Sequence, residues 1–350
     1  MESVMTTGFW ARKKVLVTGA TGLLGSWTTQ ALLDAGADVT CLIRDTVPKS
    51  LLVTSGAMNR VNIVHGGLED YFTVLRALNE YEIGVVLHLG AQTIVGTAAR
   101  STLSTFESNI KGTWNLLEAC RECGKLVNAI VVASSDKAYG SHAKLPYTED
   151  MPLQGRFPYD VSKACAELLA ASYFETYHLP VGITRCGNLY GGGDLNFSRI
   201  VPGTIRSVIF GEPPIIRSDG KFVRDYFYVE DAAGAVLTLA EHLANGNVRG
   251  EAFNFGTEEP LTVLQIVDRI LDVMDARELE PVVLNEANHE IREQYLDCAK
   301  ARALLNWRPR YTLEDGLTRS VQWYRQHCSP AVEETVSSAM RSRGRGAASS

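Results

Sequence analysis

The stretch that decides the fold is "KKVLVTGATGLLGSWTTQALLDAG", Lys13 to Gly36. Val15, Leu16 and Val17 are consecutive and apolar, the pattern of a strand covered on both faces. Glycines follow at 19, 22 and 25, and then a helical period that closes at Gly36. A glycine-rich turn between strand and helix lets the backbone approach a pyrophosphate, and the helix start offers unsatisfied N–H groups with partial positive charge. Gly19, Thr21, Gly22, Leu23, Leu24 and Gly25 are therefore candidate cofactor contacts. A tight turn with no ligand is the bland alternative, since a glycine triplet alone is weak evidence.

Outward from that stretch the alternation continues. "ADVTCLI", "VNIVHG", "GVVLHLGA", "AIVVA" and "PVGITRC" read as strands; "YFTVLRALNE", "STFESNIKGTWNLLEACREC" and "YDVSKACAELLAASYFETY" read as helices. Such an order predicts right-handed crossovers and an α/β, Rossmann-like doubly wound parallel sheet. After Cys186 the rhythm breaks at the Gly-rich "GNLYGGGD". Residues 9–185, with about 225–257, are expected to form the dinucleotide-binding domain. Residues 186–224 and 258–328 are expected to form a smaller mixed α/β substrate-binding region, and 329–350, rich in Ser, Arg, Gly and Ala, a disordered tail.

Composition narrows the function classes. Net charge is −6, and Arg341, Arg343 and Arg345 make only a local basic patch, which argues against nucleic-acid binding. Seven scattered cysteines, an odd number, suit a reducing compartment. Cys120-x-x-Cys123 has no second pair, and no His/Cys/Asp/Glu spacing suggests a metal. No run of about 18 apolar residues and no leader pattern is present, so a soluble cytoplasmic protein without membrane contact is expected.

The second strand ends in Arg44 and Asp45. A carboxylate there suits the ribose 2′-hydroxyl of NAD, an arginine the 2′-phosphate of NADP. The reading takes NAD, with NADP left open.

Tyr159 and Lys163 stand four apart on a helix, hence on one face. An ammonium beside a phenol favours the phenolate, which turns a tyrosine into a base toward a sugar hydroxyl. Ser135, at the end of the strand "AIVVA", can hydrogen-bond the same oxygen. Asp136 and Lys137 follow it at the carboxyl end of a strand, where open α/β sheets bind ligands. Alone, an ordinary helix pair and a solvated loop would explain both features. His88, inside a strand, reads as a packed core residue.

Gly-x-x-Gly-x-x-Gly, a strand-end serine and Tyr-x-x-x-Lys, in that order, resemble the extended short-chain dehydrogenase/reductase family, which acts largely on nucleotide sugars. The likeness spans roughly residues 9 to 325, including "RCGNLYGGGD", "RDYFYVED" and "NFGTEEPLTV". It implies cofactor contacts at Leu68, Leu89 and Ala91, with Gly67 standing where many relatives carry an aspartate. It implies substrate contacts at Gln92, Asn188, Arg224 and Arg292, and a structural helix-kink role for Asn109. It also implies a homodimer through the helix after the serine strand and the helix before it, where Ala164, Leu168, Leu169, Ala171 and Phe174 are apolar.

Within this family the residues after the serine divide the reactions. Epimerases carry small or neutral residues there; nucleotide-sugar 4,6-dehydratases carry an acid and then Glu or Lys. Once C4 is a ketone, the C5 proton becomes acidic, and a base must remove it while an acid helps the C6 hydroxyl leave as water. The resemblance assigns Asp136 as the acid and Lys137 as the base. Ser-Asp-Lys, "HLGAQTIV", "SKACAEL", "GGGD" and "HEIREQYLDCAKARALLNW" are most similar to the branch acting on CDP-glucose, although "RDYFYVED" is the commoner family form. The expected reaction converts an NDP-hexose to the NDP-4-keto-6-deoxyhexose. An epimerase acting at C4 or C2 is the first alternative and leaves Asp136 and Lys137 unexplained. A non-catalytic dinucleotide-sensing protein is the second, but such proteins lose the tyrosine or lysine kept here.

Overall fold

In the computed structural model, which describes residues 7–286 and 291–328, the opening stretch folds as its pattern predicts. Strand β1 spans Lys14–Thr18 and helix α1 spans Leu23–Asp34. The chain continues through β2 (Asp38–Ile43), β3 (Asn62–His65), β4 (Val85–His88), β5 (Ala129–Ala133), β6 (Val181–Cys186), β7 (Val223–Tyr228), β8 (Ala252–Phe255) and the two-residue β9 (Glu293–Gln294). Seven of these form one parallel sheet in the order β8-β6-β5-β4-β1-β2-β3. Thr18 pairs with Leu42 on one side and His88 on the other. The winding reverses between β1 and β4, so the crevice at their carboxyl ends is the switch point where such sheets bind ligands.

Side chains alternate across the sheet, and each face has its own core. Val15, Val17, Val85, Leu87 and Val131 pack with Val236, Leu239 and Leu243 of helix α5 (Val229–Ala244) in one cluster. Leu16, Val86, Ile130 and Val132 pack on the other face with Leu116 and Leu117 of α3 (Gly112–Glu122) and Ala170 of α4 (Pro158–Tyr177). Each such side chain contributes ~1.5–3 kcal/mol by leaving water. Helix α2 (Tyr71–Glu80) starts at Asp70, whose carboxylate accepts from the N–H groups of Phe72 and Thr73.

Two expectations need correction. The stretch expected as one long helix is helical throughout but not uniformly α: Thr102–Phe106 is α-helical, Glu107–Lys111 forms a π turn around the kink residue Asn109, and α3 follows. Second, the late chain divides differently. Among the described residues, one compact unit comprises 7–189, 223–260 and 291–310; the other comprises 190–222, 261–286 and 311–328. The segment up to Arg310, expected in the substrate region, joins the sheet unit because β9 pairs with β7 and the helix Ala299–Leu305 packs on β8. The other unit carries helices Ile200–Ile209, Val263–Met274 and Leu313–His327 with a two-residue parallel pair, Ile215–Ile216 with Val282–Val283. The expected tail, 329–350, lies outside the described residues. No helix among the described residues is long and apolar enough to cross a membrane. All seven cysteines are free thiols.

Candidate active site

The loop after β1 is shaped by what glycine lacks. Gly19 has φ +72°, and a Cβ there would lie 2.7 Å from Gly90 Cα in the loop leaving β4. A Cβ on Gly25 would lie 2.1 Å from Gly19 O, so α1 can press against its own entry turn only with glycine at 25. Gly22 N–H closes the turn on Gly19 O at 2.9 Å. Helix α1 begins with no side-chain cap, which leaves its first N–H groups, at Leu23, Leu24 and Gly25, for an anionic partner. Thr21 is half-buried beside them. These features fit a dinucleotide pyrophosphate.

The rest of the expected cofactor groove lies around the same crevice. Arg44 Nε donates to Asp45 Oδ2 at 2.7 Å, and both side chains are exposed at the end of β2. Leu68 is buried with its carbonyl held by Asn115 Nδ2 at 3.0 Å, and a Cβ on Gly112 would lie 2.6 Å from its own Cβ. A side chain at Gly67 would meet the Glu69 carboxylate, which curls over that position. Leu89 and Ala91 are half-buried beside Gly90.

A chain of hydrogen bonds ties this loop to the π turn. Gly90 N–H donates to Thr18 Oγ1 at 3.0 Å, and Thr18 Oγ1 lies 3.0 Å from His88 Nδ1. His88 Nε2 lies 2.9 Å from Thr113 Oγ1, whose own proton goes to Asn109 O at 2.6 Å. With that proton committed, His88 must carry its hydrogen on Nε2 and accept from Thr18 at Nδ1. Burial, aided by the Lys163 charge, pushes the imidazole down to about 3, so it stays neutral. His88 is the packed core residue expected.

Asn109 explains why the helix deforms. Its Oδ1 accepts from Gln92 N at 2.7 Å, and its Nδ2 donates to Gln92 O at 3.1 Å and Ser162 Oγ at 2.9 Å. Ser162 Oγ in turn donates to Tyr159 O at 2.7 Å. The π turn thereby fastens the loop after β4 to the first turn of α4. Gln92, expected at the substrate, uses its side-chain oxygen to accept from Ile94 N at 3.0 Å.

Tyr159 and Lys163 are both buried on α4, with Lys163 Nζ 6.0 Å from the centre of the Tyr159 ring. Lys163 Nζ donates to Ala133 O at 2.7 Å, where β5 ends. Burial pushes its ammonium down to about 8, against the opposing pull of the Glu167 carboxylate. Ser135 starts a single 3-10 turn, Asp136–Tyr139, by accepting from Lys137 N at 3.3 Å and donating to Asp136 Oδ1 at 3.0 Å. Asp136 is 1% exposed, and its Oδ2 has no hydrogen-bond partner. Lys137, half-buried, donates from Nζ to Gln294 Oε1 at 3.0 Å. Helix α4 packs directly on this turn. From it Asp160, whose carboxyl burial holds above the usual range, responds to the charges of Lys137 and Asp136. The serine, the acid–lysine pair and the Tyr–Lys pair thus converge on one end of β5.

A buried ion pair beneath the turn went unnoticed in the sequence. Arg185 donates to Glu167 Oε2 from Nε at 2.9 Å and from Nη2 at 2.7 Å, with both side chains almost fully buried. Ser134 Oγ donates to the other Glu167 oxygen, and Arg185 Nη1 donates to Tyr139 OH at 2.7 Å. Tyr139 passes its proton to Asn254 Oδ1 at 2.7 Å. Both ends of the Ser-Asp-Lys turn therefore rest on one pair. Glu167 lies four residues beyond Lys163, a helical spacing that was visible; Arg185 sits within an apolar strand and gave no signal.

Of the expected substrate residues, Arg224 is buried on β7, with Nη1 donating to Val223 O at 2.8 Å and Arg292 O at 3.2 Å. Arg292 is exposed and Asn188 half-buried. No group of three or more His, Cys, Asp or Glu among the described residues is placed to hold a metal ion.

Comparison with known proteins agrees with this geometry. The family model described as GDP-mannose 4,6 dehydratase matches residues 16–320. A CDP-glucose 4,6-dehydratase of Salmonella typhimurium is 32% identical, over 91% of this chain and 92% of the relative. A dTDP-glucose 4,6-dehydratase of Streptomyces venezuelae, solved with NAD, superposes with a TM-score of 0.81 at 29% identity, covering 89% of this chain and 97% of that one. A UDP-glucose 4-epimerase of Thermotoga maritima, solved with UDP-glucose, superposes at 0.82 with 27% identity, covering 89% and 99%. Such extensive likeness, on a sheet and a Tyr–Lys helix of the expected kind, means that the chain belongs to the GDP-mannose 4,6-dehydratase family, within the extended short-chain dehydrogenase/reductases.

Proposed function

We propose that this protein is an NAD-dependent nucleotide-sugar 4,6-dehydratase converting an NDP-hexose, CDP-glucose foremost, to the NDP-4-keto-6-deoxyhexose. The observation that carries the reading is Asp136: a buried carboxyl group with one oxygen on Ser135 and the other without a protein partner, next to Lys137 on a turn packed against the Tyr159 and Lys163 helix. An NAD held by the loop of Gly19, Gly22 and Gly25 would supply the hydride acceptor for C4 and the hydride donor for C6. Tyr159 accepts the C4 hydroxyl proton, with Lys163 supplying the positive charge that favours the phenolate and Ser135 a hydrogen bond to the same oxygen. Lys137 then removes the C5 proton; that electron pair forms the C5–C6 double bond as the C6–O bond breaks, and Asp136 protonates the departing hydroxyl to water. A proton returned to C5 completes the product, which is the substrate less one water. An epimerase needs neither Asp136 nor Lys137, although the Thermotoga maritima structure shares this scaffold.

The partners follow from the same residues. Asp45 favours NAD, since a carboxylate at the end of β2 would suit a ribose 2′-hydroxyl and it balances Arg44. Arg224, Arg292, Asn188 and Gln92 are assigned to the nucleotide sugar, the two guanidinium groups to its diphosphate. CDP-glucose is favoured by the 32% identical relative. A homodimer would cover the large apolar side chains left outside: Leu168 and Tyr177 on α4 and Trp114 on α3 are 64%, 52% and 43% exposed. Incubation with CDP-, dTDP-, UDP- and GDP-glucose, followed by mass spectrometry of the sugar products, tests the reading. Loss of one water with the CDP sugar is expected; a product of unchanged mass and altered stereochemistry would favour the epimerase.

A further inference from the structure

We propose that Gln294 is the positioning residue of Lys137, fixing the direction from which that amine meets the sugar. This rests on the dehydratase reading and adds to it a residue that the reading had not used. Gln294 is fully buried, and its Oε1 accepts from Lys137 Nζ at 3.0 Å across 157 residues of sequence.

The backbone around Gln294 is held from two sides. Within β9 it is the register partner of Arg224 on β7, and Val223 N donates to Arg292 O at 2.9 Å beside it. One residue on, Tyr147 N donates to Tyr295 O at 3.0 Å, and Asp297 N donates to Tyr147 O at 2.9 Å. A side chain on so fixed a backbone is a fixed point, whereas Lys137 has a flexible four-carbon stem. The orientation of the amide also follows. Lys137 Nζ is the donor, so the amide turns Oε1 toward it. The Tyr147 hydroxyl lies beside the same amide, but its proton goes to Gly140 O at 2.6 Å, so only its lone pairs are turned toward Gln294. Gln294 Nε2 is buried and closes no hydrogen bond of its own.

The identity of the residue matters as much as its position. A carboxylate at 294 would hold Lys137 as the ammonium, which cannot accept a proton; an apolar side chain would remove the acceptor that meets Lys137 Nζ. A neutral acceptor aims the nitrogen and leaves it able to act as a base. The other ionisable groups around this point are Asp136 on the turn, Asp160 on α4, Tyr147, and Arg224 on β7. Because Gln294 pairs in register with Arg224, the assigned diphosphate contact and the aim of the base share one rigid strand pair.

The test uses the NAD-loaded full-length enzyme and CDP-glucose in single turnovers, quenched and read by mass spectrometry. The 4-keto hexose is lighter than substrate by two hydrogens and the final product by one water, so the two stages separate. In Gln294→Ala the 4-keto hexose should form at a rate within about twofold of wild type, while water loss slows by up to about 100-fold, the scale of a misplaced catalytic group. Gln294→Glu should move the pH dependence of water loss toward alkaline pH by about one unit or more, because the new carboxylate favours the charged amine. A merely structural role would not produce that shift. Equal slowing of both stages in Gln294→Ala, or an unmoved pH dependence in a folded Gln294→Glu, overturns the inference. A wild-type enzyme that never releases water overturns the dehydratase reading and this inference with it.

Discussion

Individual residues of the site hold charges where water would not leave them. Lys163 is pushed down to about 8 by burial, so its ammonium is lost at modestly alkaline pH. Above that value Tyr159 loses the neighbouring positive charge that favours its phenolate, and sugar oxidation should fall. The rate of 4-keto sugar formation from pH 6 to 10 is the measurement; a limb near 8 is expected, and Lys163→Arg, always charged, should be slower overall but lack it. These residues were legible because their meaning is local: four residues on a helix put two side chains on one face. Gln294 was not, because it reaches Lys137 only through the pairing of a two-residue strand with β7. No periodicity marks a strand that short.

Among the elements, the glycine loop and the turn after β5 make separate predictions. Gly25→Ala puts a Cβ 2.1 Å from Gly19 O, an overpacking of about 1–3 kcal/mol. Calorimetric titration with NAD should then show affinity reduced by about tenfold or more; unchanged affinity would mean that the loop does not cradle the pyrophosphate. The Glu167–Arg185 pair supports the other end of the site. Removing one partner by Glu167→Met or Arg185→Met should cost about 3–5 kcal/mol in urea unfolding, because a buried charge is left unpaired. The double variant should cost much less than the sum of the two. The sequence made the strands, α1 and α4 readable through apolar runs and helical spacing. The resemblance marked Asn109 as a helix-kink residue but not what it holds, because its side-chain hydrogen bonds to Gln92 and Ser162 join segments far apart in the chain.

For the whole molecule, acid stability and assembly are the measurable consequences. His88 has a folded value of about 3 against 6.5 when unfolded. Between those values the unfolded chain binds a proton that the folded chain refuses, so stability falls as pH drops, by up to ~1.4 kcal/mol per pH unit. Asp225, pushed up to about 6 from 3.8 by burial, slopes the opposite way across its own window. Urea unfolding at pH 7 and pH 5 should therefore show a smaller loss on acidification in His88→Gln than in wild type. If the exposed side chains on α3 and α4 are a subunit contact, Trp114→Lys combined with Leu168→Lys should convert a dimer to a monomer in sedimentation, with the fold intact by circular dichroism. The division of the late chain escaped the sequence because membership of 291–310 depends on a pairing partner 70 residues earlier.

A reaction with CDP-glucose in deuterated water reads whether Asp136 and Lys137 make this scaffold eliminate water. Wild type should give a product lighter by one water that carries solvent deuterium at C5, and Lys137→Ala should give neither. A C4 epimer that keeps its original C5 hydrogen, formed equally well by wild type and Lys137→Ala, would contradict the account.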